Sequence, residues 1–210
     1  MLSMFCMVSK DFSRQIKKLR TIYQLSMSEM GNLLLVSSAY IAMWENGERN
    51  PSHEILIKIA EVFGVSLDWL IGFPESVYNK KIIADMEELF VDAALQKFDT
   101  GSKYCTLMDL SLMIKNHYST VKQREKYSLP VRANLCYLFY CYMMCSNQLK
   151  VLKIEIEAYP AELGKNAKID AQIQGLKQIK KLSGKKEQIE NYIKQLLTPD
   201  AKPLFDLTKV

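Results

Sequence analysis

Apolar residues recur at helical spacing soon after the chain begins. Phe12, Ile16, Leu19 and Tyr23 fall at steps of four, three and four, which predicts an amphipathic helix whose basic residues lie off the apolar stripe. Ser26 with Glu29 three positions later predicts the start of a second helix through a reciprocal capping box. Met30, Leu33 and Leu34 supply its inner side, and Val36-Ser37 makes a tight turn with Ser37 as the next cap. Ile41 and Trp44 lie on one face of a third helix that stops at Asn46-Gly47. Asn50-Pro51-Ser52 opens a fourth, with the proline placed where a missing N–H does no harm. Ile55, Leu56, Ile59, Ala60 and Phe63 form its inner stripe and Gly64 ends it. Ser66 then caps a short fifth helix, Leu67 to Ile71, closed by Gly72 and Pro74. Five helices in so short a stretch can share one small core.

Beyond Pro74 the period stays helical. Ile82, Ile83, Met86, Leu89, Phe90, Ala93, Ala94 and Phe98 predict a helix up to Thr100-Gly101-Ser102. Leu107, Leu110, Leu112, Met113 and Ile114 predict another that ends near Lys122. Leu129-Pro130 starts a long helix reaching toward Tyr159, apolar nearly all round in its first half, and Pro160 breaks it. The lysine-rich stretch from Ala161 to Leu197 is helical in pattern, with an interruption expected at Ser183-Gly184. No strand-like alternation persists and no internal repeat is visible. The fold class expected is all-α. Its expected division is an extension at 1–11, a small helical domain at 12–74, a larger all-helical region at 75–198 and a tail at 199–210.

Composition changes this picture little. The 210 residues are 49% hydrophobic and 24% charged, ordinary for a globular protein. The formal net charge of +5 tolerates a polyanionic partner without requiring one. Up to Pro74 there are seven basic residues (Lys10, Arg14, Lys17, Lys18, Arg20, Arg49, Lys58) against seven acidic ones (Asp11, Glu29, Glu45, Glu48, Glu54, Glu61, Asp68). The positive excess lies later, so any polyanion contact in the first domain depends on where charges sit. Arg14, Lys17 and Lys18 cluster on one short segment. Five cysteines (6, 105, 136, 141 and 145) show no C-x-x-C spacing, which suits a reducing cytosol. The apolar start MLSMFCMV is too short for a signal peptide, and Leu135 to Cys145 falls well short of the ~18 residues of a membrane span. A soluble, cytoplasmic protein is expected.

The residues Leu19-Arg20, Ser26, Val36-Ser37, Ile41, Trp44-Glu45-x-Gly47, Pro51, Leu56, Ala60 and Gly64-Val65-Ser66-Leu67-Asp68-Trp69-Leu70 together resemble the Cro and phage-repressor (XRE-type) helix-turn-helix domain. The likeness runs without a gap from Phe12 to Phe73. It implies a five-helix, lambda-repressor-like domain that presents its third helix to the major groove of DNA. On that resemblance Ser38, Ala39 and Tyr40, with Met43 one turn on, face the bases. Ser26, Met27, Ser28, Ser37, Asn46 and Arg49 match positions that touch phosphate, and Lys17 and Lys18 are looser candidates. Arg20 and Glu45 correspond to a structural salt bridge, while Trp44 and Trp69 read as core. Three positions depart from the family pattern: Met27 replaces a polar residue, Gly31 an alanine and Leu35 the glycine of the turn. Gly31 costs about 1 kcal/mol of helix propensity but allows close packing. Leu35 removes the easy left-handed turn residue.

The base-facing set holds two hydroxyls, a methyl and a thioether, with no Arg, Lys, Asn or Gln for a bidentate base contact. Modest direct readout is expected, with specificity drawn also from half-site spacing and DNA shape. Neither G-x-S-x-G, H-E-x-x-H nor a P-loop occurs, so no enzymatic activity and no cofactor are expected. Cys136, Cys141 and Cys145 read as buried side chains and not as a metal site, since thiolate sites normally need four ligands. Tyr137, Phe139, Tyr140, Tyr142, Met143 and Met144 crowd the long helix and read as a dimer interface or, second, an effector pocket. The expectation is a homodimeric transcriptional regulator, a repressor of an inverted repeat, open to an antirepressor or another effector protein. An adaptor or antitoxin that holds a protein partner is the alternative.

Overall fold

The computed structural model describes residues 2–73, 77–99, 113–157, 165–198 and 200–209, and these are helical throughout apart from connections. The first five helices are α1 (Leu2–Ile22), α2 (Met27–Leu34), α3 (Ser38–Asn46), α4 (His53–Phe63) and α5 (Leu67–Leu70). They are followed by α6 (Lys80–Asp99), α7 (Val121–Arg124), α8 (Leu129–Glu157) and α9 (Lys165–Leu196), then a 3-10 turn at Leu207–Lys209. Two compact units result, Met1–Tyr137 with Leu196–Val210, and Leu138–Gln195. No strand occurs among the described residues; Val65 and Tyr78 make an isolated antiparallel bridge.

In the first unit the inward positions of α1 to α5 close one core. Phe12, Ile16, Leu19 and Tyr23 are buried, as are Met30, Leu34, Ile41, Trp44, Ile59, Ala60 and Phe63. Leu33, Ile55 and Leu56 are only half-buried, and Gly31 and Val62 take inward places instead. Helix starts and stops follow local chemistry. Ser26, Ser52 and Ser66 accept hydrogen bonds from the backbone N–H three residues on. Gly47 and Gly64 close α3 and α4 in the left-handed conformation. Because Ser52 is the cap, Pro51 lies before the helix and not at its first position. At Gly64 an added Cβ would come within 2.9 Å of Ile83 and 3.2 Å of Ala133, so its bare backbone lets α6 and α8 pack against the end of α4.

The face that α6 buries differs from the expected apolar stripe. Ile83, Phe90 and Val91 are inward but Leu89 is exposed, while Glu87 is almost fully buried. The reason is electrostatic: Arg132 on α8 grips the Glu87 carboxylate through two hydrogen bonds of 2.8 and 2.6 Å, and the Tyr118 hydroxyl donates to it. Burial pushes the Tyr118 and Cys136 acid groups well above their ordinary pKa values, since charging them there would cost solvation. The helix expected to end near Lys122 stops at residue 117. Thr120 and Gln123 form a fresh capping box and start α7. Leu107, Leu110, Leu112, Thr100-Gly101-Ser102, Pro74, Tyr159 and Pro160 lie outside the described residues.

The C-terminal segment belongs to the first unit. The Asn134 side chain donates to the Phe205 carbonyl at 2.8 Å and accepts from the Phe205 N–H at 2.7 Å. Leu207 is buried and its N–H donates to the Tyr78 hydroxyl at 3.1 Å. The Phe205 ring stacks on Tyr23 at 4.6 Å, and Tyr137 meets Tyr23, Phe63 and Phe205 at 4.6 to 5.9 Å between centroids. Within the second unit, α9 runs unbroken through Ser183-Gly184, against the expected interruption. Gly184 has open space around it, so nothing forces the backbone out of the helix, and the flanking turns absorb the ~1 kcal/mol propensity cost.

Candidate nucleic-acid interface

The exposed ends of α2 and α3 are built by caps and one unusual turn. Ser26 Oγ accepts from the Glu29 N–H at 3.1 Å, and the Glu29 carboxylate accepts from the Ser26 N–H at 3.0 Å. This box satisfies the cap and third-position donors. The N–H groups of Met27 and Ser28 have no intrachain acceptor among the described residues. Glu29 also places a negative charge beside that helix start, which opposes an approaching anion. Ser26 and Ser28 are exposed and Met27 is 38% exposed.

The turn is made by Leu35 at φ 60° and ψ 40°, its N–H directed at the Asn32 and Gly31 carbonyls. A leucine in this conformation costs about 1–2 kcal/mol, and at 70% exposure its side chain recovers little by packing. Gly31 makes the turn fit. A Cβ there would stand 2.7 Å from the Val36 carbonyl oxygen and 3.3 Å from backbone atoms of Ser37 and Ser38. The Val36 N–H in turn donates to the Gly31 carbonyl at 2.9 Å.

At the start of α3, Ser37 holds the cap conformation, is exposed and makes no side-chain cap hydrogen bond. Ser38 and Ala39 are exposed, and Tyr40 and Met43 are half-exposed on the same outer side. Ile41 and Trp44 turn inward, with Trp44 edge-on to Phe12 at 6.2 Å. Arg20 fixes the far end of α3. Its guanidinium donates to both Glu45 oxygens at 2.5 and 2.9 Å and to the Leu25 carbonyl at 3.1 Å, joining α1, the connection to α2 and α3. Its bonds to the Glu45 carboxylate hold the Arg20 pKa above its ordinary value.

At the end of α3 the Asn46 amide donates to Glu48 at 3.0 Å, and beyond it the Arg49 guanidinium lies over the Tyr40 ring, 4.7 Å from its centroid. Neither contact is visible in residue spacing. The basic cluster of α1 is less uniform than its sequence. Arg14 pairs with Asp11 at 2.8 Å, Lys18 stands 6.0 Å from the centre of the Trp69 ring, and Lys17 is exposed.

The aromatic positions of α8 are differently placed. Tyr137, Phe139 and Tyr142 are buried within this one chain, leaving only Tyr140, Met143 and Met144 half-exposed. A second subunit is therefore not needed to cover the first three; for Tyr137 the cover is Tyr23, Phe63 and Phe205. Tyr142 lies under the Lys186 ammonium at 4.7 Å, and burial raises its pKa. Cys136, Cys141 and Cys145 are buried free thiols, and no cluster of potential metal ligands exists among the described residues. No described helix is long and apolar enough to cross a membrane.

Comparison with known proteins places the likeness on these same helices. Residues 16–70 match the family described as Helix-turn-helix. The chain is 31% identical over 67 residues to the HTH-type transcriptional activator BcrR of Enterococcus faecalis, covering 32% of this chain and 33% of that protein. It is 31% identical over 74 residues to the uncharacterized HTH-type transcriptional regulator YqaE of Bacillus subtilis, covering 35% and 61%. A Haemophilus influenzae protein of the same description is 46% identical over 43 residues, covering 20% and 18%. The chain thus spans less than two thirds of each of these relatives. No solved structure matches it. Residues 16–70 are an XRE-type helix-turn-helix domain.

Proposed function

We propose that the chain is a sequence-specific, double-stranded DNA-binding transcription regulator without enzymatic activity, acting in the cytoplasm. What carries the reading is the start of α3, where Ser38, Ala39, Tyr40 and Met43 lie outward on a helix anchored by the Arg20–Glu45 pair. The named transcriptional regulators among the relatives support it. Two hydroxyls can exchange hydrogen bonds with base edges, and Ala39 and Met43 suit thymine methyls. Phosphates are met by the Met27 and Ser28 N–H groups, Ser26, Ser37, Asn46, Arg49 and Lys17. Lys18, drawn over Trp69, contributes less. In this reading residues 12–74 read DNA, 75–198 pair chains and receive control by an effector or antirepressor protein, and 1–11 and 199–210 flank them.

A dimeric repressor of an inverted repeat follows, with half-sites ~10 bp apart centre to centre or a multiple of that. Since most of the α8 aromatics are already covered, pairing is assigned to Ile169, Ile173 and Leu176, which lie on one stripe of α9 at 53, 44 and 58% exposure. Selection from random duplexes tests the reading. An enriched inverted repeat, bound ever more weakly as salt rises, is expected; no enriched site sinks it, and a monomer by light scattering on the selected duplex sinks the dimer. The exposed α9 stripe also favours a second reading, an adaptor or antitoxin holding a protein partner. One stoichiometric protein bound with no DNA footprint would decide for that.

A further inference from the structure

Tyr40 is the third residue of α3 and the largest side chain on its outer start. A half-exposed tyrosine at such a position ordinarily samples several rotamers, and binding must then pay to select one. Here the ring is held from two directions. Trp44, one turn later and buried in the core, lies 6.1 Å away at an interplanar angle of 49°. Arg49 reaches back from beyond the C-cap and lays its guanidinium 4.7 Å from the ring centroid. The loop that carries Arg49 is itself fixed. Gly47 takes the left-handed conformation, the Glu48 N–H donates to the Met43 carbonyl at 2.9 Å, and the Glu48 carboxylate is engaged by Asn46. Glu48 therefore does not draw Arg49 away, and Arg49 makes no salt bridge among the described residues.

From this geometry we infer that Arg49 is a specificity-determining positioning residue, which fixes the Tyr40 phenol for base reading by stacking on its ring. The inference rests on the DNA reading proposed above and changes what Arg49 does in it. A guanidinium that stacks with its face keeps its edge N–H groups available for phosphate, so one side chain can set the Tyr40 rotamer and neutralise the backbone beside it. An arginine acting only on phosphate lowers affinity for every duplex alike when removed. One acting through Tyr40 also changes which base is preferred.

A double-mutant cycle on the full chain separates the two, using Tyr40→Leu, Arg49→Ala and their combination, with Arg49→Lys alongside. Each is titrated with the selected duplex and with duplexes changed at single base pairs, and thermal melting checks that each remains folded. The expected result is that Arg49→Ala lowers discrimination at one base pair of each half-site by about 2- to 5-fold, the worth of an exposed cation–π contact. In the Tyr40→Leu background the same change leaves that discrimination alone and lowers only overall affinity. Arg49→Lys keeps the charge and the salt slope but loses part of the discrimination, because an ammonium cannot stack as a plane. Uniform weakening on all duplexes, equal in both backgrounds, overturns the positioning role while leaving the DNA reading intact. Absence of any sequence preference in the unaltered chain overturns both.

Discussion

The outer start of α3 and the first half of α8 are both stretches whose sequence offers chemistry to a partner, and the fold treats them oppositely. On α3 the side chains that point outward are small or half-exposed, and the helix is held from behind by Trp44 and the Arg20–Glu45 pair. On α8 Tyr137, Phe139 and Tyr142 are buried, with Phe205 from the far end of the chain packed on Tyr137 and Tyr23. A surface held open by rigid support is suited to a ligand; a surface closed by a distant segment of the same chain is core. The difference teaches that abundance of apolar side chains is a poor guide to a binding face, and that position on a braced element is a better one.

The largest effect that would break this comparison is at the closed end. Leu207→Ala removes a side chain with 1% exposure from the C-terminal seam, and a loss of about 3 kcal/mol is expected in denaturant titration. Should the midpoint not move, the tail is not the cover assigned to it. Next comes Gly31→Ala at the open end. Helix propensity alone would make it stabilising by about 1 kcal/mol. With a Cβ 2.7 Å from the Val36 carbonyl, it is expected instead to cost about 1–2 kcal/mol and to weaken DNA binding by tilting α3. A gain in melting temperature would show that the turn yields freely.

The remaining two effects are smaller. Burial raises the Tyr78 pKa to about 12, above the free value near 10. The fold favours the neutral phenol, so this contribution to stability is complete below pH ~10 and is lost as pH rises through about 12. Tyr78→Phe keeps the apolar ring without that ionisation. The unaltered protein should therefore lose stability relative to Tyr78→Phe as pH rises from ~10 to about 12, and a constant difference would contradict the burial of Tyr78 in the seam. Least of all, Glu48→Gln removes a carboxylate 3.0 Å from Asn46, in the loop proposed to meet phosphate. Affinity for any duplex should rise by about 2- to 3-fold, most visibly at low salt, and unchanged affinity would place that loop away from the DNA.

What was legible in the sequence was local. Ser26 with Glu29, Gly47, Gly64 and Ser66 each announce a helix end within four residues, and the structure realises all of them. At Ser37 the cap position was legible but the missing side-chain bond was not, since no residue code specifies a rotamer. Pro51 suggested the first helical residue, yet Ser52 offered the better cap one place later. The inward Glu87 and outward Leu89 could not be read from α6, because Arg132 lies 45 residues away. The cover of Tyr137 could not be read from α8 for the same reason: Phe205, which packs on it, is held by Asn134 from 71 residues away. At the candidate interface the Arg49–Tyr40 cation–π contact follows from the loop geometry after α3, which no helical period encodes.

The central claim, that the outer start of α3 reads DNA, is tested most directly by titrating the selected duplex with the unaltered chain and with the Ser38→Glu, Tyr40→Glu double variant. Two carboxylates on that face would meet base edges and phosphates, so affinity should fall by at least ~100-fold while thermal melting stays the same. Equal affinity of the two proteins for that duplex would contradict the account.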